Sequence, residues 1–194
     1  MKILVSAAKT GGHIFPAIAV GNELKHNGHD IVFIGSGAPI EINALKKTSF
    51  RYHFISMEGF RGKNFFEKIK SLLLIPISIF KILKIIRNEK VDAMIGFGGF
   101  ITVPVGIAFY ISRKPIFIHE QNAVLGSANK LLGKFSKIIF SAFKLKETFK
   151  NTCITGNPIR EEFRTEAPKE DYSEITKIYI IQQKRLLLNE QEHF

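Results

Sequence analysis

Short apolar runs of strand length alternate with stretches of helical period along most of the chain. The runs predict strands at residues 2–6, 30–35, 52–57, 91–95, 115–119, 137–140 and 151–155. The stretches between them predict helices near 15–27, 39–48, 65–89, 100–112, 126–135 and 144–149. Strands that read as continuous hydrophobic runs, each followed by a helix, imply a parallel sheet covered on both faces. The expected fold class is therefore α/β, a doubly wound, mostly parallel, Rossmann-like sheet, with its domain spanning residues 1–163. The pattern changes after Phe163. Residues 164–174 are polar and read as a linker, residues 175–181 offer one more strand, and the polar stretch 182–194 follows. Residues 164–194 are thus expected to be a linker and the start of a second α/β unit.

Composition narrows the class without naming a chemistry. The chain has 194 residues, 45% of them hydrophobic, which suffices for a packed core. Its single cysteine, Cys153, excludes an internal disulfide framework and reads as a buried small apolar residue. A net charge of +11 raises the question of nucleic acid or an anionic membrane. The lysines are spread along the chain, do not interleave with aromatic residues and accompany no zinc-finger, basic-zipper or RNA-binding signature, so nucleic acid is not expected as a partner. The chain opens directly on a strand with no charged-then-apolar leader, so export is not expected.

In a doubly wound sheet, ligands sit beyond the carboxyl ends of the strands, and three loops occupy that position. The first contains Thr10-Gly11-Gly12-His13 between a strand and a helix, where bare backbone N–H groups and a positive helix end can hold phosphate. It lacks the spacing of a dinucleotide fingerprint or a P-loop, and the second strand ends in Gly35-Ser36-Gly37 rather than in a ribose-binding acid. A tight turn with an incidental histidine is the plain alternative. The second loop is Gly96-Phe97-Gly98-Gly99-Phe100, where a backbone can approach a ligand closely, or where a helix simply packs on glycine. The third is His119-Glu120-Gln121-Asn122, four hydrogen-bonding side chains at the end of a buried strand. His13, His119 and Glu120 are candidate proton acceptors. Arg160, in Gly156-Asn157-Pro158-Ile159-Arg160, can pair with a phosphate or carboxylate.

Residues 68–87 carry an uninterrupted apolar stretch too short to span a bilayer, bracketed by Lys68, Lys70, Lys81 and Lys84. Leu72, Leu73, Ile75, Ile79 and Phe80 are the candidate apolar contacts of a helix lying on an anionic membrane surface. A buried crossover helix with a solvated basic face is the alternative.

Taken with Glu58-Gly59-Phe60-Arg61-Gly62-Lys63, these loops resemble, in order and spacing, the MurG family of undecaprenyldiphospho-muramoylpentapeptide N-acetylglucosaminyltransferases of bacterial cell-wall synthesis. The resemblance runs from Met1 to about Phe163. It implies the N-terminal half of a two-domain GT-B glycosyltransferase, acting at the cytoplasmic face of the plasma membrane as a peripheral protein. It implies inverting transfer from UDP-N-acetylglucosamine to a lipid-linked muramoyl-pentapeptide, with no cofactor and no metal. By the family pattern, Thr10, Gly11, Gly12, Asn122 and Arg160 touch the donor, and Gly98, Gly99 and His119 help to hold substrate. His13 is then the candidate base or polar orienter, with Glu120 a second catalytic candidate. The chain departs from that pattern at Ala8 and Lys9, where the family has glycines, and at Phe100, Thr102 and Val103, where it has Tyr, Ser and Gly. After Ile181 the Gly-Gly-Ser-x-Gly turn of a second domain is replaced by Gln182-Gln183-Lys184-Arg185. Turnover is accordingly expected only where a separate C-terminal domain is supplied; a non-catalytic acceptor-binding or membrane-surface remnant is the alternative.

Overall fold

A computed structural model describes residues 1–8, 10–56, 65–147 and 149–159, with backbone only for 65–73. The described elements, in chain order, are β1 (Lys2–Ser6), α1 (Gly11–His26), β2 (Asp30–Gly35), α2 (Pro39–Leu45), β3 (Arg51–Phe54), α3 (Phe65–Asn88), β4 (Ala93–Gly96), α4 (Thr102–Ile111), β5 (Ile116–Glu120), α5 (Ser127–Leu132), β6 (Ile138–Ser141) and β7 (Thr152–Ile154). The strands form one seven-stranded sheet in the order β3-β2-β1-β4-β5-β6-β7, with every pairing parallel.

Alternation along each strand sends neighbouring side chains to opposite faces. Leu4, Ile34, Met94 and Ile118 join one core with Ile82 and Ile86 of α3, Val105 and Phe109 of α4 and Leu132 of α5. Val5, Phe33 and Ile95 join the other core with Ile14, Ala17 and Ile18 of α1 and Leu45 of α2. The fold is thus the doubly wound α/β sheet that the apolar runs predict, with α1 and α2 on one face and α3, α4 and α5 on the other. On the second face α4 and α5 pack closely, because Leu132 occupies the space that a Cβ on Gly106 would need.

Three expectations are corrected. Cys153, on the edge strand β7, is exposed rather than buried, because no further strand or helix covers it among the described residues. The helix expected at 144–149 does not form among its described residues, because their groups are engaged elsewhere. Lys146 N–H donates to Ala123 O, while the Glu147 carboxylate accepts from Leu125 N and Lys130 Nζ. The helix after Thr10 starts at Gly11 rather than Phe15, so Pro16 lies within it. The expected linker and second unit at 164–194 lie outside the described residues.

At the end of the sheet where β1 and β3 begin, Glu89 accepts from Arg51 and His53 at 2.9 and 3.2 Å and lies 3.7 Å from Lys2 Nζ. Burial pushes its carboxyl up, but the His53 hydrogen bond and the charges of Arg51, His53 and Lys2 outweigh that and hold it below the ordinary carboxylate value. A depressed folded value gives stability that is present above pH 4.5 and lost as the pH falls through the folded value. Chemical denaturation at several pH values is expected to show this loss below pH 4.5 and a shallower slope in Glu89→Gln.

Candidate active site

The sheet grows in one direction from β1 to β2 and β3 and in the other from β1 to β4 and β5. Loops after β1 and β4 therefore lead to helices on opposite faces, and the point between them is an open crevice. Ser6, the last residue of β1, is paired with Gly96, the last of β4, and Gly96 with Ile118 of β5. The loops beginning at Ala7, Phe97 and Gln121 consequently leave adjacent strands.

The first two loops interlock. His13 sits in the first turn of α1, and a Cβ on Gly98 would lie 3.1 Å from its Nε2. Gly98 also has a φ of +95°, so glycine is favoured there by both conformation and space. The Nδ1 of His13 lies 3.3 Å from Ala8 O and 3.1 Å from Thr10 Oγ1. A carbonyl oxygen only accepts, so the contact with Ala8 O is a hydrogen bond in the tautomer that carries the proton on Nδ1, and in that tautomer Nε2 offers its lone pair. Thr10, the residue before the helix, extends no side-chain bond to the first backbone N–H groups. The helix start at Gly11 and Gly12 therefore keeps the character of an anion site.

The departures from the family pattern are accommodated. The Ala8 side chain is buried, and a Cβ on Gly99 would lie 3.0 Å from it, so the extra methyl group fills space beside the second loop. Thr102 is buried at the start of α4; its hydroxyl donates to Gly98 O at 2.7 Å and its methyl group occupies the space above Gly96. Lys9, the segment 57–64 and Arg160 lie outside the described residues.

The third loop uses its polar side chains internally. His119 is 2% exposed and stacks on Phe97 at 5.4 Å. Its Nε2–H donates to Gly156 O at 3.2 Å, leaving Nδ1 to accept from Gln121 Nε2 at 3.3 Å. Burial holds its pKa below the ordinary imidazole value, against the opposing pull of the Gly156 carbonyl and the Glu120 charge. Glu120, also 2% exposed, accepts from Asn122 N and Nδ2 on one oxygen and from Gly126 N and Asn129 Nδ2 on the other. Of the candidate proton acceptors, only His13 has a ring nitrogen left free among the described residues. Asn122 is exposed at the rim.

Sequence reasoning missed three contributors: Thr102, Asn129 and Glu41. Glu41 is buried beyond β2 and accepts from Ser36 Oγ at 2.6 Å and Gly37 N at 2.8 Å. An acid does stand near that loop, but it is bonded back into it. Its only signal in the sequence was position in the first turn of a helix.

Comparison with known proteins then places the chain. Residues 3–141 match the N-terminal domain of glycosyltransferase family 28. The chain belongs to that family. It is 41% identical over 165 residues to a Haemophilus influenzae UDP-N-acetylglucosamine–N-acetylmuramyl-(pentapeptide) pyrophosphoryl-undecaprenol N-acetylglucosamine transferase, covering 83% of this chain and 45% of the relative. A Psychrobacter arcticus protein of the same name is 38% identical over 164 residues, covering 81% and 45%. The crystal structure of Acinetobacter baumannii MurG superposes with a TM-score of 0.72 at 30% identity, covering 87% of this chain and 50% of that one. Anabaena HepE in complex with UDP-glucose, at 14% identity and a TM-score of 0.62, shares the fold. The chain spans about half the length of the curated relatives it matches.

The direction of the His119 shift sets a pH dependence. An imidazole kept neutral by folding contributes stability fully above the unfolded value of about 6.5, and loses it as the pH falls from there towards the depressed folded value. Thermal melting of the wild type and of His119→Gln between pH 5 and pH 8, a range of about three units around the ordinary histidine value, is expected to show a weaker acid-side decline in the variant.

Proposed function

We propose that this chain carries the acceptor side of an inverting N-acetylglucosamine transfer, in which the 4-hydroxyl of a lipid-linked muramoyl-pentapeptide displaces UDP from UDP-N-acetylglucosamine. The observation that carries this reading is the fixed imidazole of His13 at the crevice, with Nδ1 tied to Ala8 O and Nε2 left with its lone pair beside Gly98. As the acceptor oxygen forms its bond to the anomeric carbon, Nε2 takes the hydroxyl proton, and UDP leaves with the electrons of the broken bond. The first-turn N–H groups of α1 and its positive end stabilise diphosphate charge at Gly11 and Gly12. Thr10 and Ala8 O orient the ring; Asn122 and Arg160 contact the donor. The remainder of the donor site belongs to a second domain; the curated relatives are about twice this length. No cofactor or metal enters this scheme.

The same reading places α3 on an anionic membrane surface at the cytoplasmic face. Ile75, Ile79, Ile82 and Ile86 follow one helical stripe into the core, so Ile75 and Ile79 are not the outward contacts that the apolar run suggested. Leu74, Ile77 and Phe80 point outward instead, the last two 53% and 72% exposed, with Lys81 and Lys84 also exposed. The side chains of Lys68, Lys70, Leu72 and Leu73 lie outside the described residues. No helix among the described residues is long and apolar enough to cross a membrane. An apolar strip flanked by lysines suits a helix lying at the headgroup level.

Two measurements test the proposal. In a sugar-transfer assay with the C-terminal half of a relative supplied, His13→Ala is expected to lower the rate by about 10²–10⁴, the range for loss of a general base. Gly98→Ala should lower it as well by displacing the ring, and wild-type rates in both would refute the role of His13. In liposome sedimentation, the chain is expected to bind vesicles containing anionic lipid and to lose binding with added salt and in Phe80→Ser/Lys84→Glu. Binding unchanged by salt and by the double substitution would return α3 to a purely structural role.

A further inference from the structure

Glu120 is the last residue of β5, and its carboxylate is a hub of four N–H donors. Asn122 N and Nδ2 approach Oε1 at 3.1 and 3.0 Å; Gly126 N and Asn129 Nδ2 both approach Oε2 at 2.9 Å. Asn129 is 1% exposed in α5, and its Nδ2 also donates to His119 O at 3.1 Å. Its Oδ1 has no partner among the described residues. The fold leaves that acceptor bare, so the useful half of the Asn129 amide is its donor half.

The consequence falls on Asn122. A carboxylate only accepts, so an amide held against it must present nitrogen inward and oxygen outward. Asn122 is exposed, and its Oδ1 has no partner among the described residues. What this position presents to solvent is therefore an acceptor. An acceptor receives a hydroxyl or N–H and repels a phosphate oxygen, whereas the start of α1 does the reverse.

We propose that Glu120 is a positioning residue which fixes the amide of Asn122 with its oxygen outward, so that this position takes a hydroxyl or N–H group of the sugar nucleotide while its diphosphate goes to Gly11 and Gly12. The ligand part rests on the transferase reading; the orientation part does not.

The test uses the whole 194-residue chain and side-chain amide exchange followed by NMR. In the wild type, an Asn122 Nδ2 proton should exchange about fivefold to tenfold more slowly than those of exposed Asn88, as one hydrogen bond of about 1 kcal/mol implies. Glu120→Gln, which leaves one acceptor oxygen for four donors, should weaken this protection. Asn129→Ser removes one of the two donors to the other oxygen and leaves Gly126 N on it, so it should lower the melting temperature yet leave Asn122 protected, a separation that a merely structural role of Glu120 would not produce. Exchange at the Asn88 rate in the wild type, or equal loss of protection in both variants, overturns the proposal without requiring Glu120→Gln to fold. Pyrophosphate should shift the Gly11 and Gly12 amides and leave the Asn122 side chain unmoved; UDP-N-acetylglucosamine should shift both sets, and in Glu120→Gln only the glycines. Bonding of pyrophosphate to the Asn122 amide protons would overturn the outward orientation. If neither probe moves Gly11 or Gly12, the diphosphate site at the start of α1 fails and the ligand part of the proposal with it, while the exchange rates still decide the role of Glu120.

Discussion

The parallel pairing of β1 with β4 is the constraint on which the rest of this molecule depends. It sets Ser6 beside Gly96 at the strand ends, while α1 and α4 depart to opposite faces. A crevice at that point is unavoidable, and the residues around it must be small or already bonded. Gly98 meets both conditions: it takes a backbone conformation that side chains disfavour, and it leaves space for the His13 ring. The imidazole, the glycine loop and the helix start are thus one packed unit.

That unit explains how substitutions in it are absorbed. Ala8 adds a methyl group to the first loop, and the methyl group lies against Gly99 rather than in the crevice. Thr102 brings a hydroxyl that bonds Gly98 O and a methyl group that fits over Gly96. The bulk of Ala8 on the first loop is matched by Gly99 on the second. The coupling is steric and runs between segments about ninety residues apart, the separation across which Lys2 N also bonds Asp92.

Much of the architecture was legible because strand burial leaves a strong signal. Continuous apolar runs such as Ile31-Val32-Phe33-Ile34 have few uses other than a strand covered on both faces. Boundaries moved by one or two residues where both ends of an apolar run are compatible with pairing, as in β4 and β5. The helix expected at 144–149 failed because its amides and carboxylate bond to the loop at Ala123 and Leu125, a distant competition that periodicity does not record. On α3 the apolar run concealed which face was inner; only the stripe through Ile82 and Ile86 separates Ile75 from Leu74. At the site, residue types were readable but their directions were not. His119 and Glu120 look alike as polar residues at a strand end, yet one bonds Gly156 and the other gathers donors from Asn122, Gly126 and Asn129.

The all-parallel arrangement also fixes an order of assembly. β1 is synthesised well before β4, the neighbour that completes its second edge, which is encoded some ninety residues later, after the whole of α3. Until that segment arrives, Ala8 has no Gly99 to rest on and the His13 ring has no Gly98 beneath it. The loop and helix that follow β1 thus wait through some ninety residues of synthesis for their final surroundings, and slow non-local closure of this kind is the kinetic cost of a parallel sheet.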